Sequence, residues 1–134
     1  MGFREVPHTA DWALQVWGAD LPELFAEAAR GMITLAGARL AEGPRVKRTV
    51  KIEAPDVESL LVAFLSEVLF FMEQEHLGFD SFQIVIEREG QTVQAEMAGA
   101  PLLSLTKAIK AVTFHNLNVR RTKRGYEVEI VFDV

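Results

Sequence analysis

One stretch constrains this chain more than any other: from Asp56 to about Leu77, Val57, Leu60, Leu61, Phe64, Leu65, Val68, Leu69 and Met72 fall on i, i+3, i+4, i+7 positions without a miss. That period predicts an amphipathic helix with one face that must be buried, and Glu58, Glu67, Glu73 and Glu75 off or at the edge of the stripe leave another face for water. Asp56 is the expected cap and Gly78 the expected stop. A second helix is predicted after Asp20, where Asp20-Leu21-Pro22-Glu23 resembles a capping box with Pro in the opening turn. Its stripe is Leu21, Leu24, Phe25, Ala28, Met32 and Ile33, and Gly37 is its stop.

The rest of the sequence alternates. Trp12, Leu14 and Val16 form one period-two run, Val46, Val50 and Ile52 a second, Phe82, Ile84 and Ile86 a third, and Val93, Ala95 and Met97 a fourth. Val112 with Phe114 marks a fifth, and Tyr126, Val128, Ile130 and Phe132 a sixth. Such runs are half-buried strands. Glu89-Gly90-Gln91 and Lys123-Arg124-Gly125 read as hairpin turns. Two amphipathic helices among strands in mostly hairpin order predict an α+β fold, an antiparallel or mixed sheet with the helices packed on one face. Residues 98–106, Ala-Gly-Ala-Pro-Leu-Leu-Ser-Leu-Thr, read as the one long ordered loop. The 134 residues suit one domain, 1–134, with no repeat or linker.

Several function classes fall away on composition. Fourteen Lys and Arg against nineteen Asp and Glu leave a net charge of −5, unlike the basic footprint of a free-standing nucleic-acid binder. The absence of cysteine excludes disulfides, thiolate metal sites and a cysteine nucleophile. The longest stretch without Asp, Glu, Lys or Arg, residues 97–106, is well short of the roughly 20 apolar residues a membrane span requires. The opening residues lack the apolar core of a secretory signal, so a cytoplasmic, membrane-free protein is expected. No phosphate-binding glycine loop, nucleophile elbow or zinc-binding helix motif is present.

Three segments could carry chemistry. His8-Thr9-Ala10-Asp11 presents an imidazole and a carboxylate where a strand begins, although a turn-capping Asp is the commoner reading. At the other end, alternation turns Asp133 away from the core, next to the oxygens of Val134. Such a cluster repels itself unless a proton or a cation intervenes, and oxygen-only donors select a hard ion. A frayed, solvated terminus is the simpler alternative, and spacing alone favours it. Between them, Lys107 to His115 combines Lys110, Val112 and Phe114 on one expected strand face with Ala111, Thr113 and His115 on the other. Arg120, Arg121, Lys123 and Arg124 crowd a turn, which is usually a solvated hairpin tip.

Taken together, the opening His-Thr-Ala-Asp, the Leu21–Ala29 and Asp56–Glu67 helices, the Ile109–His115 block and the closing Asp133-Val134 resemble the archease family over essentially the whole length. The resemblance implies the archease fold and a non-enzymatic role beside an RtcB-type tRNA-splicing RNA ligase. In that role the protein promotes guanylylation of the ligase and multiple turnover, and broadens its nucleotide use. It also implies metal binding: a divalent ion, calcium first with magnesium or manganese as alternatives, held by Asp11, Asp133 and Val134, with His8, Lys110 and His115 as flanking functional residues. Many relatives carry an acid where this chain has Ala108. The partner expected is the ligase, with tRNA met only through it and no membrane involved.

Two other readings compete. A chaperone-like modulator of tRNA-modifying enzymes, a methyltransferase for example, would use the same surface without needing an ion. A metal-dependent hydrolase would hold its ion at Asp11 and Asp133 and use His8 or His115 as general base. No nucleophile or cleft for the hydrolase is legible in the sequence.

Overall fold

Asp20 and Asp56 each begin a helix. The Asp20 carboxylate accepts the Glu23 backbone N–H at 2.9 Å, and Asp56 accepts that of Ser59 at 2.7 Å. The structure, a computed structural model, describes residues 1–6 and 12–134. In chain order the elements are β1 (Gly2–Val6), β2 (Trp12–Gly18), α1 (Leu21–Leu35), β3 (Arg39–Leu40), β4 (Val46–Glu53), α2 (Val57–Gln74), β5 (Leu77–Glu87), β6 (Thr92–Ser104), β7 (Ala111–Val112), β8 (Arg120–Thr122) and β9 (Gly125–Asp133). No described helix is long and apolar enough to cross a membrane.

The α+β class holds, with the strands divided between two antiparallel sheets. The first runs β1-β2-β9-β7, with β8 pairing the opposite end of β9 from β7. The second is centred on β6, which pairs with β3, β4 and β5. Both helices bridge the sheets. α1 packs on β1 and β2 of the first and β5 of the second, and α2 on β7 of the first and β4, β5 and β6 of the second. This explains why α1 buries six consecutive residues, Leu24 to Ala29, more than any one face of a 3.6-residue helix can offer. Small residues permit it: a side chain at Gly31 would meet Leu14 and Phe3 of the neighbouring strands. Glu27 is buried in the same stretch and pairs with Arg30 at 3.0 Å.

Three local expectations are corrected by tertiary packing. Gly78 does not end α2. The helix stops at Gln74, His76 takes the left-handed position at φ 54°, and Gly78 lies within β5, where Leu40 and Leu102 fill the space of a side chain. Residues 98–104 are not a loop but the second half of β6. There Pro101 faces Leu77, the Pro101 carbonyl accepts Ala41 N–H at 2.8 Å, and Leu102 N–H donates to His76 O at 2.7 Å. The small residues that suggested a loop let β5 and β6 touch, with Gly99 against the Gly78 carbonyl. The expected strand through Phe114 also stops early, at Val112. Thr113 donates to the Val131 carbonyl from both its N–H (3.0 Å) and its hydroxyl (2.9 Å), the chain turns through Asn116 at φ 51°, and Phe114 is left 59% exposed.

Candidate functional site

The site builds from the end of the β2–β9 ladder. β9 carries Tyr126, Val128, Ile130 and Phe132 against the core, and the alternation turns Asp133 to solvent. β2 runs antiparallel beside it in a register that sets Trp12 opposite Phe132. On the other side Ala111 faces Asp133, and the Asp133 carbonyl accepts the Lys110 N–H at 2.7 Å. The backbone at the end of β9 is thereby held from one flank while the carboxylate stays exposed. Val134 packs partly buried against the core, which anchors the segment further.

Asp133 forms no ion pair with a described lysine or arginine. Other carboxylates differ: Asp80 is engaged by Arg45, Glu75 by Arg48 at 2.6 Å, and Glu127 by Arg124. The Arg45 hydrogen bond holds the Asp80 carboxyl below its ordinary range, with the guanidinium charge adding to the effect and partial burial opposing it.

Of the residues singled out by sequence, the structure gathers Asp133, Val134 and Lys110 at one strand end, with His115 just beyond Thr113. The His115 N–H donates to the Thr113 hydroxyl at 3.3 Å, and its ring Nε2 lies 3.3 Å from Asn116 Nδ2. Asp11 and His8 lie outside the described residues. Among the described residues no group of three or more His, Cys, Asp or Glu side chains is placed to hold a metal. Asp133 and Val134 offer oxygen donors alone, the kind a hard cation takes.

Sequence reasoning missed the placement of Lys107. Its ammonium sits 3.8 Å from the centre of the Trp12 ring, a cation–π contact at the mouth of the same ladder. Nothing in the spacing of two residues so distant in the chain signals that contact. The basic hairpin tip behaves as an ordinary surface feature, because Arg124 lies over Trp17 and pairs with Glu127, and Arg121 lies over Tyr126.

Comparison with known proteins decides the family. The model of the archease protein family (MTH1598/TM1083) matches residues 3–134. The chain belongs to the archease family. Curated relatives named protein archease include one from Methanosarcina barkeri, 31% identical and covering 98% of this chain and 95% of its own length. Another, from Methanopyrus kandleri, is 33% identical with both chains covered in full. Among solved structures, that of Methanobacterium thermoautotrophicum protein 1598 superposes with a TM-score of 0.74 at 26% identity over 99% of each chain. A Thermotoga maritima archease, described as a possible chaperone, superposes at 0.71 with 20% identity over 98% of this chain and 96% of its own, which bears on the fold. The archease fold is therefore the two-sheet, two-helix arrangement described above.

Proposed function

We propose that this chain is a non-enzymatic, cytoplasmic activator of an RtcB-type tRNA-splicing ligase, promoting its guanylylation and repeated turnover and widening its nucleotide use, through a divalent cation held by Asp11, Asp133 and Val134. One observation carries the reading: Trp12, bonded to Asp11, pairs with Phe132, bonded to Asp133. Asp11 and Asp133, from opposite ends of the sequence, are thus each the covalent neighbour of one member of a single ladder pair. The exposed Asp133 carboxylate has no described cationic partner, which is the state an ion-binding group needs.

A bound divalent ion would supply positive charge able to meet phosphate, of the kind phosphoryl and nucleotidyl transfer depend on. The protein's own contribution is positional. The Lys110 N–H fixes the Asp133 backbone, Val134 packs partly buried against the core, and Lys110 and His115 would supply polar groups to the site. Calcium is the expected ion, with magnesium and manganese able to use the same donors. The test is a guanylylation time course and a multiple-turnover ligation assay of an RtcB-type ligase, with and without this chain. Asp11→Ala and Asp133→Ala are expected to abolish stimulation; full stimulation by both variants would overturn the reading.

A second reading has its own support in Leu103, Leu105 and Phe114, large apolar side chains left in solvent. They suit a chaperone-like modulator of tRNA-modifying enzymes such as a methyltransferase. Stimulation by that route would survive chelation of divalent ions, whereas the ligase reading requires its loss.

A further inference from the structure

The two long edges of the second sheet differ in kind. At β4 the alternation turns Val46, Val50 and Ile52 toward the core, and Arg48 stands among them on the same face, paired with Glu75 at 2.6 Å. A charge turned inward, with Lys47 and Lys51 exposed beside it, keeps a foreign strand from adding to that edge. β5 forms the other edge, because its ladder partner is β6 and no described strand pairs with its far side. From Phe82 to Ile86 it reads Phe-Gln-Ile-Val-Ile, without a charge, a Pro or a Gly. Phe82, Ile84 and Ile86 pair with Met97, Ala95 and Val93, which are fully buried, yet are themselves only half-buried, and Val85 on the opposite face is 55% exposed. Among the described residues no backbone hydrogen bond reaches 81–86 except those of the β5–β6 ladder, so alternate residues hold out N–H and C=O groups for another strand.

The strand is its own complement. In an antiparallel pair of two copies centred on Ile84, Phe82 faces Ile86, Gln83 faces Val85 and Ile84 faces itself. Glu87 then meets Ser81, so no carboxylate opposes another. Beside the edge runs a groove lined by Met1, Glu23, Ala26 and Arg30 together with Phe82 and Ile84. On α1 Glu23 lies one turn before Ala26 and Arg30 one turn after it, about 10 Å apart along the axis. The two-fold axis that pairs the strands also reverses the second α1, so its Arg30 approaches the end of the groove where Glu23 stands, and its Glu23 the end where Arg30 stands. An unrelated extended segment could use the same main-chain groups, but the symmetry of the strand and of the groove charges selects a second copy of this chain.

We infer that the 81–87 edge of β5 is the two-fold interface of a homodimer, in which the second sheets of two chains join into one continuous antiparallel sheet. The inference needs neither the ion nor the ligase. Sedimentation velocity of the chain alone, from about 1 to about 100 μM, tests it, and the wild type should pass from monomer to dimer across that range. Gln83 and Val85 are exposed, so Gln83→Lys/Val85→Lys should leave the circular dichroism spectrum unchanged. It sets like charges opposite each other on both sides of the axis, and should raise the dissociation constant by about tenfold or more. Gln83→Glu/Val85→Glu should do the same. An equal mixture of the two double variants should recover the dimer, because position 83 of one chain faces position 85 of the other. A wild type that stays monomeric to about 100 μM, or that assembles beyond two chains, would overturn the inference. Variants that dimerise as the wild type does would move the interface off this edge. A mixture that fails to recover the dimer would overturn the antiparallel register.

Discussion

Trp12 and Phe132 face each other as the last described pair between β2 and β9. That single ladder step makes neighbours of segments that stand at opposite ends of the sequence. Phe132 is fully buried, so the step is tied to the core rather than to a loose terminus. Asp133 and Val134, the next two residues, inherit that fixed position.

The first prediction concerns the ion. Asp133 is exposed and its side chain makes no hydrogen bond or ion pair among the described residues, so Asp133→Ala should leave the circular dichroism spectrum and thermal midpoint essentially unchanged. Calcium titration by calorimetry should show affinity reduced by about tenfold or more, in line with the loss of one carboxylate ligand. Unchanged affinity would remove Asp133 from the proposed ligand set.

The second concerns acid stability. Arg45 lowers the Asp80 carboxyl from its ordinary value of 3.8, chiefly through a direct hydrogen bond. A depressed folded-state value means the pair contributes stability that is fully present above that ordinary value and is lost as pH falls through the folded one. The difference in thermal midpoint between wild type and Asp80→Asn should therefore be constant at neutral pH and shrink as the pH falls below the ordinary value of 3.8. The pair is largely exposed, so the effect should be small and should weaken with salt. A difference that grows on acidification would contradict the assignment.

The third tests the close approach of β5 and β6. A Cβ at Gly99 would lie 1.8 Å from the Gly78 carbonyl oxygen, and the obstacle is backbone rather than a movable side chain. Gly99→Ala should cost at least the upper part of the about 1–3 kcal/mol typical of overpacking, read from the urea midpoint. A near-neutral result would mean that β5 can bow away from β6.

The fourth tests the helix layer between the sheets. Phe25 of α1 and Phe64 of α2 are both fully buried, with ring centroids 5.7 Å apart. Phe64→Ala should destabilise the protein by about 3–5 kcal/mol through lost burial and the cavity left behind, measured by urea unfolding. A loss below about 1 kcal/mol would show that the layer collapses to fill the gap.

The sequence by itself determined the local elements wherever a repeating period or a cap states them in neighbouring residues. The stripe from Val57 to Met72, the Asp20 and Asp56 caps, the alternation from Tyr126 to Phe132 and the two hairpin turns are all present as read, because each rests on interactions within a few residues. Where a segment's conformation depends on a distant partner, local chemistry misled. Ala98 to Pro101 became strand because Gly78 lies against Gly99, and Phe114 left the sheet because Thr113 is committed to Val131. Only the tertiary structure decided that the strands form two sheets with the helices bridging them, that Lys107 covers Trp12, and that Asp133 stands one step beyond a residue paired with Trp12. The physical reason is the same in each case. Period and capping are encoded in short-range backbone and side-chain geometry, whereas register and sheet membership depend on which buried surfaces fit together across the whole chain.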